Sequence, residues 1–353
     1  MRTGRTDLSG KTILITGAAG FIGSHLTMAL LRSGKNIMII GIDNLNDYYD
    51  VMLKKARLAE IEKLSENVPA KFSFIQGSIA DVDIVTSAFQ AYKPSVVVNL
   101  AAQAGVRYSI TNPDAYIESN IIGFYQILEA CRHSYDDGGP GVEHLVYASS
   151  SSVYGANKKV PYAVRDKADC PVSLYAATKK SNELLAYAYS KLYGIPSTGL
   201  RFFTVYGPMG RPDMAYFSFT QKMMEGTKIQ LFNYGDMYRD FTYVDDIITA
   251  VLKILAKAPD HDENDIPHKL YNIGNNKPES LLYFVDTLEE ILLKENMISR
   301  PAERELLPMQ PGDVYQTYAD VEDLMRDFSF SPSTELKTGL EQFVKWYKHY
   351  KSI

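Results

Sequence analysis

The sequence predicts an α/β fold in which a doubly wound parallel sheet carries a smaller C-terminal lobe. Short apolar runs alternate with longer amphipathic segments through the first half of the 353 residues, which is typical of parallel strands covered by helices on both faces. After Gly207 the elements become shorter and turns more frequent. The chain is also longer than a usual single domain, which favours two domains or one large unit with a lobe.

Six apolar runs are the predicted strands of the main sheet. They read TILIT, NIMIIGI, FSFIQ, SVVVNLA, HLVYAS and STGLRFF, and a longer amphipathic segment separates each from the next. The segment from Leu174 to Tyr193 has the pattern of a long helix. Later helices are predicted at Leu281 to Leu293 and at Leu336 to Tyr350.

The predicted domain boundary lies near residue 207. We expect the first domain over residues 11–207, with returning segments from about 240–275, because the run Pro267 to Gly274 can add a strand to the sheet. Residues 208–350 are expected to form mainly the smaller lobe.

Composition and charge argue against several classes of protein. Lysine plus arginine number 37 against 42 acidic residues, and no basic run suggests a nucleic-acid or membrane partner. Cys131 and Cys170 lack metal-ligand spacing and are expected to be reduced thiols, and the six histidines do not cluster, so no metal site is expected. No apolar run reaches about 18 residues and no signal peptide is recognised. We therefore expect a soluble, cytoplasmic protein.

Three glycines follow the first predicted strand. In TILITGAAGFIGSHL, Gly17, Gly20 and Gly23 stand between this strand and a helix that begins near Phe21. Glycines permit a tight turn and let the backbone approach a pyrophosphate, although an ordinary strand-to-helix turn can show the same pattern. The second strand ends in Asp43, twenty residues after Gly23. A carboxylate there accepts the ribose hydroxyls of an adenosine and repels a 2′-phosphate, which predicts NAD rather than NADP.

A tyrosine and a lysine form the candidate catalytic pair. Tyr175 and Lys179 are four residues apart and therefore share one face of a predicted helix. An ammonium group close to a phenol favours the phenolate, which makes the tyrosine a usable general base. Taken alone, this spacing is more often a surface pair.

Together with the glycine-rich turn and Asp43, this pair resembles the site of the extended short-chain dehydrogenase/reductase family, and in particular its NAD-dependent nucleotide-sugar epimerases and dehydratases. The resemblance covers the chain from Lys11 to about Tyr350. The strings that carry it most specifically are DNLNDYYD, AAQAGVRYSITNPDAYIESNIIGF, RFFTVYGPMGRPDMA, RDFTYVDDI and QPGDV. Within the family they resemble the branch that epimerises UDP-glucuronate at C4. The resemblance implies a Rossmann-type sheet and a lobe over 208–350 that mainly binds the nucleotide sugar.

The resemblance also implies the roles of the catalytic residues. Tyr175 is the implied base, Lys179 its electrostatic partner, and Ser150 the hydroxyl that bonds the 4-oxygen of the sugar. In the implied reaction a hydride passes from C4 to bound NAD and returns to the opposite face of a 4-keto sugar. The implied cofactor-binding residues are Gly17, Gly20, Phe21, Ile22, Gly23, Asp43, Asn44, Ser78, Ile79, Leu100, Ala101, Ala102, Tyr175 and Lys179.

The serine run Ser149 to Ser152 separates possible reactions within the family. Related 4,6-dehydratases have Asp and Glu where this chain has Ser151 and Ser152, and related decarboxylases have Glu at the Ser152 position. Hydroxyls can hold a sugar carboxylate without adding a second negative charge beside it. We expect this role for Ser151, Ser152 and Thr204, the last replacing an Asn of UDP-galactose 4-epimerases. The alternative is that the serines merely finish a strand, which we expect of Ser149.

Four further residues are candidate ligands of the substrate. Arg239 matches the family's diphosphate-binding arginine, and Asp313 matches its uridine-ribose acid. Arg211 is a candidate for the diphosphate or the sugar, and Arg107 for the carboxylate. For these last two a solvated surface role is the ordinary alternative.

Two positions depart from the wider epimerase pattern, and a third falls at a position that matters for substrate size. Gln310 stands where UDP-galactose epimerases have a second diphosphate-binding arginine, and Ser78 stands where an Asp usually meets the adenine. Thr317, four residues after Asp313, falls at the family's sugar-size position and is small, so exclusion of N-acetyl sugars is not expected from it.

The sequence therefore predicts a reversible, NAD-dependent 4-epimerase that converts UDP-glucuronate to UDP-galacturonate. The alternatives are 4-epimerisation of UDP-glucose or UDP-N-acetylhexosamines, UDP-glucuronate decarboxylation, and a catalytically silent nucleotide-sensing module. We also expect a homodimer built on a four-helix bundle, with each subunit contributing residues 113–132 and 174–193.

Overall fold

The computed structural model describes residues 7–310 and 313–352. These residues form strands and helices with the following bounds. The strands are β1 Thr12–Thr16, β2 Met38–Asp43, β3 Lys71–Gln76, β4 Val96–Asn99, β5 His144–Ser150, β6 Ser197–Phe202, β7 Thr204–Tyr206, β8 Ile229–Leu231, β9 Tyr238–Tyr243, β10 His268–Ile273, β11 Pro278–Ser280 and β12 Arg304–Leu306. The helices are α1 Phe21–Arg32, α2 Val51–Ser65, α3 Val82–Tyr92, α4 Tyr108–Thr111, α5 Pro113–Tyr116, α6 Phe124–His133, α7 Leu174–Tyr193, α8 Ala215–Met224, α9 Val244–Leu255, α10 Leu281–Lys294, α11 Glu322–Phe328 and α12 Leu336–Tyr350.

The central sheet has seven strands in the order β10-β6-β5-β4-β1-β2-β3. The pairings of β1 with β2 and β4, of β2 with β3, and of β4 with β5 are parallel. The strand order reverses at β1, so the carboxyl end of β1 lies at the point where dinucleotides bind in doubly wound sheets. The predicted Rossmann-type α/β fold is confirmed.

Of the described residues, one compact unit comprises 7–157, 167–201 and 248–271. Its core lies between the sheet and the helices on one face, where Leu14, Val97 and Leu145 of three strands meet Phe124 and Leu128 of α6. These side chains are at most 1% exposed. The inner strands β1, β2, β4 and β5 are buried along nearly their whole length because both faces of a parallel sheet are covered.

A second compact unit comprises, within the described part of the chain, residues 158–166, 202–247, 272–310 and 313–352. It contains a three-stranded sheet in the order β11-β9-β7 and a pair formed by β12 and β8. Its core is aromatic: the rings of Phe241 and Phe284 stack at 4.7 Å, and Tyr216 packs edge-on against Phe343 at 4.9 Å.

Helix α7 spans the residues that the sequence predicts, because both of its ends have local signals. Ser173 caps the N-terminus, with its hydroxyl accepting from the backbone N–H of Ala176, and Gly194 ends the helix in a left-handed conformation at φ 69°. The other expected dimer segment, over residues 113–132, is less regular: a π-helical stretch, Ile117–Gly123, separates α5 from α6. Among the described residues, no helix has the length and apolar composition needed to cross a membrane.

Candidate active site

The glycine-rich turn lies at the carboxyl end of β1 and is packed too closely for side chains. Gly17 has φ 70°, and a Cβ atom there would lie 2.8 Å from the backbone nitrogen of Ala101. A Cβ atom at Gly23 would lie 2.1 Å from the carbonyl oxygen of Gly17. The turn leads directly into α1, which begins with Phe21 and Ile22, and no described side chain caps this helix at Gly20. Its first N–H groups can therefore face an anionic ligand.

Asp43 ends β2 next to this turn. Its Oδ2 accepts from the backbone N–H of Ala19 at 3.1 Å, and its Oδ1 accepts from that of Leu45 at 2.9 Å. The residue is 8% exposed. Two bonds from the backbone hold the carboxylate in place while leaving acceptor capacity on both oxygens for ribose hydroxyls. Asn44, the next residue, is exposed and bonds the backbone N–H of Asn46.

The loops after β3 and β4 meet the same edge of the sheet. The backbone N–H of Gly77 donates to the carbonyl of Asp43 at 3.0 Å, which brings the following Ser78 and the buried Ile79 beside β2. On the other side, Leu100 and Ala101 both bond Thr16, at its carbonyl and its hydroxyl, and Ala102 follows them.

These features together fit a dinucleotide. Tight backbone packing around three glycines, an uncapped helix N-terminus and a fixed carboxylate at the end of the next strand form one continuous edge. The glycine-rich turn and the helix N-terminus suit the pyrophosphate of NAD, and the carboxylate suits the ribose of its adenosine. The residues named from the sequence for cofactor binding in this edge lie close together, and their role in binding stays a prediction.

Helix α7 carries the candidate catalytic pair in the same unit. Lys179 is 3% exposed, and its ammonium donates to the carbonyl of Ala148 on β5 at 2.9 Å. Burial lowers the pKa of Lys179 to about 8. Tyr175 lies one turn earlier and is half-buried, with its ring edge-on to that of Tyr116 at 6.1 Å. The lysine bond sets α7 beside the end of β5, where the serines lie.

The serine run forms the end of β5 and a turn of 3₁₀-helix. Ser150 ends the strand, and its hydroxyl donates to the hydroxyl of Ser152 and accepts from the backbone N–H of Ser152, both at 3.1 Å. Ser151 and Ser152 open the turn Ser151–Tyr154 and are half-buried. Polar hydroxyls thus follow directly after the carbonyl that holds Lys179.

Sequence reasoning missed the buried ion pair behind this turn. Glu183 and Arg201 form two short contacts, Oε1 to Nε at 2.7 Å and Oε2 to Nη2 at 2.8 Å, and both residues are at most 2% exposed. Ser149 donates its hydroxyl to Glu183 at 2.6 Å, and Arg201 lies over the ring of Tyr154 at 4.8 Å. Burial acts to raise the pKa of Glu183, but the bonds from Arg201 outweigh it and the pKa is lowered. The available signals were a Glu four residues after Lys179 and an Arg inside a buried strand.

A second buried polar residue, Asn120, joins the loop after β4 to α7. Its side-chain oxygen accepts from the backbone N–H of Gln103 at 2.8 Å, and its nitrogen donates to the hydroxyl of Thr178 at 3.0 Å. Asn120 lies in the π-helical stretch and is 1% exposed. Arg107, the exposed carboxylate candidate, follows on the same loop, just before α4.

In the second unit, Arg239 is held from one side by backbone carbonyls. Its Nη1 donates to the carbonyls of Tyr238 at 2.8 Å and Tyr315 at 3.1 Å. The segment that contains Asp313 and Tyr315 therefore runs close to β9. The turn before it includes a bond from the backbone N–H of Asp313 to Gln310 at 3.2 Å, and Pro311 and Gly312 of QPGDV lie outside the described residues.

Asp240, which the sequence analysis did not single out, links three segments of this unit. Its carboxylate accepts from the backbone N–H groups of Asn275, Asn276 and Ala319 at 2.6, 3.1 and 3.0 Å. The backbone N–H of Asp240 itself donates to the hydroxyl of Thr317 at 3.3 Å. Burial raises the pKa of Asp240, against the effect of these bonds.

The remaining predicted ligands of this unit have different settings. Thr204 is half-buried at the start of β7, opposite Phe241 of β9. Arg211 forms a two-point ion pair with Asp213, with contacts of 3.0 and 2.5 Å. Its charge is therefore partly neutralised by a neighbour.

Comparison with known proteins identifies the family. Residues 13–274 match the model of the NAD dependent epimerase/dehydratase family. The chain belongs to this family. The resemblance inferred from the five sequence strings is thereby confirmed.

Several known proteins are similar to the chain over nearly its whole length. It is 50% identical to Protein CapI of Staphylococcus aureus, over 96% of this chain and 98% of that protein. It is 42% identical to UDP-glucuronate 4-epimerase 2 of Arabidopsis thaliana, over 97% of this chain and 77% of that protein. A solved structure of UDP-glucuronic acid 4-epimerase from Bacillus cereus, in complex with UDP-glucuronic acid and NAD, is 35% identical with a TM-score of 0.83 and covers 96% of this chain and 99% of that one.

Proposed function

We propose that this protein is a UDP-glucuronate 4-epimerase that uses NAD to interconvert UDP-glucuronate and UDP-galacturonate. One observation carries the proposal. The bond from Lys179 to Ala148 places the Tyr175–Lys179 helix beside a strand end that bears hydroxyls and no carboxylate. Similarity to two UDP-glucuronate 4-epimerases, over 97% and 96% of this chain, supports the choice of substrate.

The chemistry of the step follows from the properties of these side chains. Bound NAD supplies a hydride acceptor for C4 and returns the hydride to the other face. Tyr175, as phenolate, takes the proton of the 4-hydroxyl, and the ammonium of Lys179 stabilises the phenolate. The hydroxyl of Ser150 orients the 4-oxygen. In the return step Tyr175 gives the proton back.

The serine turn is proposed to protect the intermediate. Oxidation at C4 of a glucuronate produces a β-keto acid, which loses carbon dioxide when the C5–carboxylate bond stands perpendicular to the carbonyl plane. Hydrogen bonds from Ser151 and Ser152 would hold the carboxylate away from that orientation. The absence of Asp and Glu at these two positions removes the acid–base groups that the related eliminations need.

The nucleotide portion of the substrate is assigned to the second unit. Arg239 and Asp313 are the proposed ligands of diphosphate and ribose, and Thr204 and Arg211 remain predictions for the sugar. Arg239 suits its role because two carbonyls bond one guanidinium nitrogen and fix the direction of the group.

Product analysis tests the function. Purified protein is incubated with UDP-glucuronate, and UDP-galacturonate, a UDP-4-keto-pentose and unreacted substrate are separated. UDP-galacturonate alone is the expected product. A pentose would mean decarboxylation, and turnover confined to UDP-glucose or UDP-N-acetylhexosamines would assign a neutral substrate.

A pair of tyrosine variants tests the mechanism. Tyr175→Phe should abolish turnover while UDP binding survives, because only the proton acceptor is lost. Tyr187→Phe makes the same change on the exposed face of the same helix and should keep wild-type turnover. Undiminished activity in Tyr175→Phe would overturn the mechanism.

We also propose that the protein is a homodimer. Large apolar side chains are exposed on the two helical segments that the sequence assigns to a four-helix bundle, including Ile122 at 44%, Tyr125 at 43%, Leu184 at 61% and Leu192 at 70%. The segments adjoin, since the hydroxyl of Tyr189 on α7 donates to Glu129 on α6 at 2.6 Å. An apolar surface of this kind on adjacent helices suits a self-complementary interface. A cytoplasmic location stays a prediction from the sequence.

A further inference from the structure

Two of the strings that identify the branch, DNLNDYYD and AAQAGVRYSITNPDAY, pack together through tyrosines. Tyr48 of the first string contacts Tyr108 of the second, with ring centroids 4.7 Å apart. Tyr108 lies 6.3 Å from Tyr116, and Tyr116 lies 6.1 Å from Tyr175 in an edge-to-face arrangement. A row of four aromatic rings therefore leads from the first string to the proposed base. The catalytic mechanism alone does not account for the first three.

Tyr116 has two contacts that point to a specific role. The residue is fully buried, and while its ring edge meets Tyr175, its hydroxyl donates to the carbonyls of Ala104 and Gly105. One hydroxyl hydrogen is shared between the carbonyl oxygens of two half-buried residues. Tyr116 therefore joins the proposed base to the loop that follows β4.

The loop from Gln103 to Arg107 is bonded along its length. Asn120 bonds both backbone groups of Gln103, and the hydroxyl of Ser109 donates to the carbonyl of Val106 at 2.6 Å. At Gly105 the backbone has φ 102°, and a Cβ atom would lie 2.5 Å from the hydroxyl oxygen of Tyr48. The loop thus has one conformation, which the tyrosine row and these bonds define together.

We propose that Tyr116 is a positioning residue that orients this loop so that Arg107 can bind the carboxylate of the substrate. The inference rests on the proposed function. A guanidinium recognises a carboxylate through two parallel bonds, so its backbone must be set within a fraction of an ångström. Tyr116 fixes the two residues that lie between Gln103 and Val106, while its ring supports Tyr175. The side chain of Tyr116 therefore positions both the arginine that binds the carboxylate and the tyrosine that acts as the base.

A double-mutant cycle between Tyr116 and Arg107 tests the proposal. Tyr116→Phe keeps the ring against Tyr175 and removes the bonds to Ala104 and Gly105. It should raise KM for UDP-glucuronate about tenfold, because the half-buried carbonyls of two residues lose their donor and the loop loosens. Its kcat should stay within about threefold of wild type. Arg107→Ala should raise KM as well, and the double variant should be no worse than Arg107→Ala alone, because both changes remove one interaction.

Two further variants keep the cycle interpretable. Tyr135→Phe removes the same kind of bond, from a tyrosine hydroxyl to the carbonyl of Val142, elsewhere in the unit, and should leave KM unchanged. Ser109→Ala removes the bond to the carbonyl of Val106 and loosens the other end of the loop. It should raise KM, and the rise should not add to that of Arg107→Ala. This variant supplies the test if Tyr116→Phe fails to fold. Thermal unfolding and bound NAD are measured for every variant.

The outcomes separate the two proposals. A wild-type protein that does not epimerise UDP-glucuronate would overturn the proposed function. A wild-type protein that does so, together with an unchanged KM in Tyr116→Phe or with additive effects of Tyr116→Phe and Arg107→Ala, would overturn the positioning role alone.

Discussion

At the residue scale, the burial of Lys179 sets the pH range of the catalytic pair. A solvent-exposed lysine keeps its charge to far higher pH, whereas burial lowers the pKa of Lys179 to about 8. The ammonium predominates below this value and the neutral amine above it. Because the ammonium supports the phenolate of Tyr175, kcat/KM should fall as the pH rises through about 8. A kcat/KM profile from about pH 6.5 to about pH 9.5 checks this.

The neighbouring lysine provides the control for this profile. Lys180→Gln removes a charge that is paired with Glu183 at 3.0 Å and should leave the alkaline limb in place. A wild-type profile that stays flat across the same range would contradict the assignment to Lys179.

Gly23 is, at the same scale, a position where a hydrogen atom in place of a methyl group is predicted to permit cofactor binding. Gly23→Ala would put a Cβ atom 2.1 Å from the carbonyl oxygen of Gly17. That oxygen belongs to the backbone of a tightly packed turn, so α1 must move away from it. Purified Gly23→Ala should therefore lose most of its bound NAD, measured by absorbance after denaturation. In the control Gly139→Ala, the added Cβ atom meets only the flexible carboxylate of Asp137. This variant should retain wild-type NAD content.

At the element scale, the Glu183–Arg201 pair joins α7, β5 and β6. Glu183→Gln leaves the guanidinium of Arg201 buried without its charge partner, and loss of one member of a buried pair typically costs about 3 to 5 kcal/mol. The free energy of unfolding, measured by chemical denaturation, should fall by that amount. Glu143→Gln breaks a half-exposed pair with Lys11 and should cost less than about 1 kcal/mol. Similar losses in both variants would show that the buried pair contributes no more than a surface pair.

Asp240 plays the corresponding part in the second unit. In Asp240→Asn one carboxylate oxygen becomes an amide that cannot accept from backbone N–H groups, so the segments at Asn275 and Ala319 lose part of their attachment to β9. Because β9 carries Arg239, we expect UDP affinity to fall about tenfold in calorimetry, while NAD content is unchanged. The control is Asp262→Asn, where a carboxylate of the first unit also accepts two backbone bonds. Unchanged UDP affinity in Asp240→Asn would count against the role.

At the scale of the whole molecule, the exposed faces of α6 and α7 predict the oligomeric state. Light scattering of the wild type should give twice the mass of the 39.6 kDa chain. Leu184→Glu with Leu192→Glu places charges on the two most exposed leucines of α7 and should give monomers, because charges are poorly tolerated in the centre of an apolar interface. Met52→Glu, an equally exposed position on α2, should leave the dimer intact. A monomeric wild type would refute the proposal.

Much of this architecture could be read from local sequence patterns. The alternation of strands and helices, the span of α7 and the span of α12 all appear in the structure as predicted. The glycine-rich turn and Asp43 were also visible in the sequence, since a glycine spacing and a carboxylate at a strand end are local signals. Such patterns depend on the spacing of apolar residues or on the residues of one turn, so a short stretch of sequence is sufficient to show them.

The sequence by itself thus determined the fold class and the family, whereas only the tertiary structure decided how the candidate site is supported. Glu183 was paired with Arg201, Asp240 with Ala319, and Tyr116 with the loop before Arg107. Each is a buried polar group whose partner comes from another element, up to 79 residues away. Burial requires such groups to find a partner, but nothing in the local pattern says which one the fold will bring near.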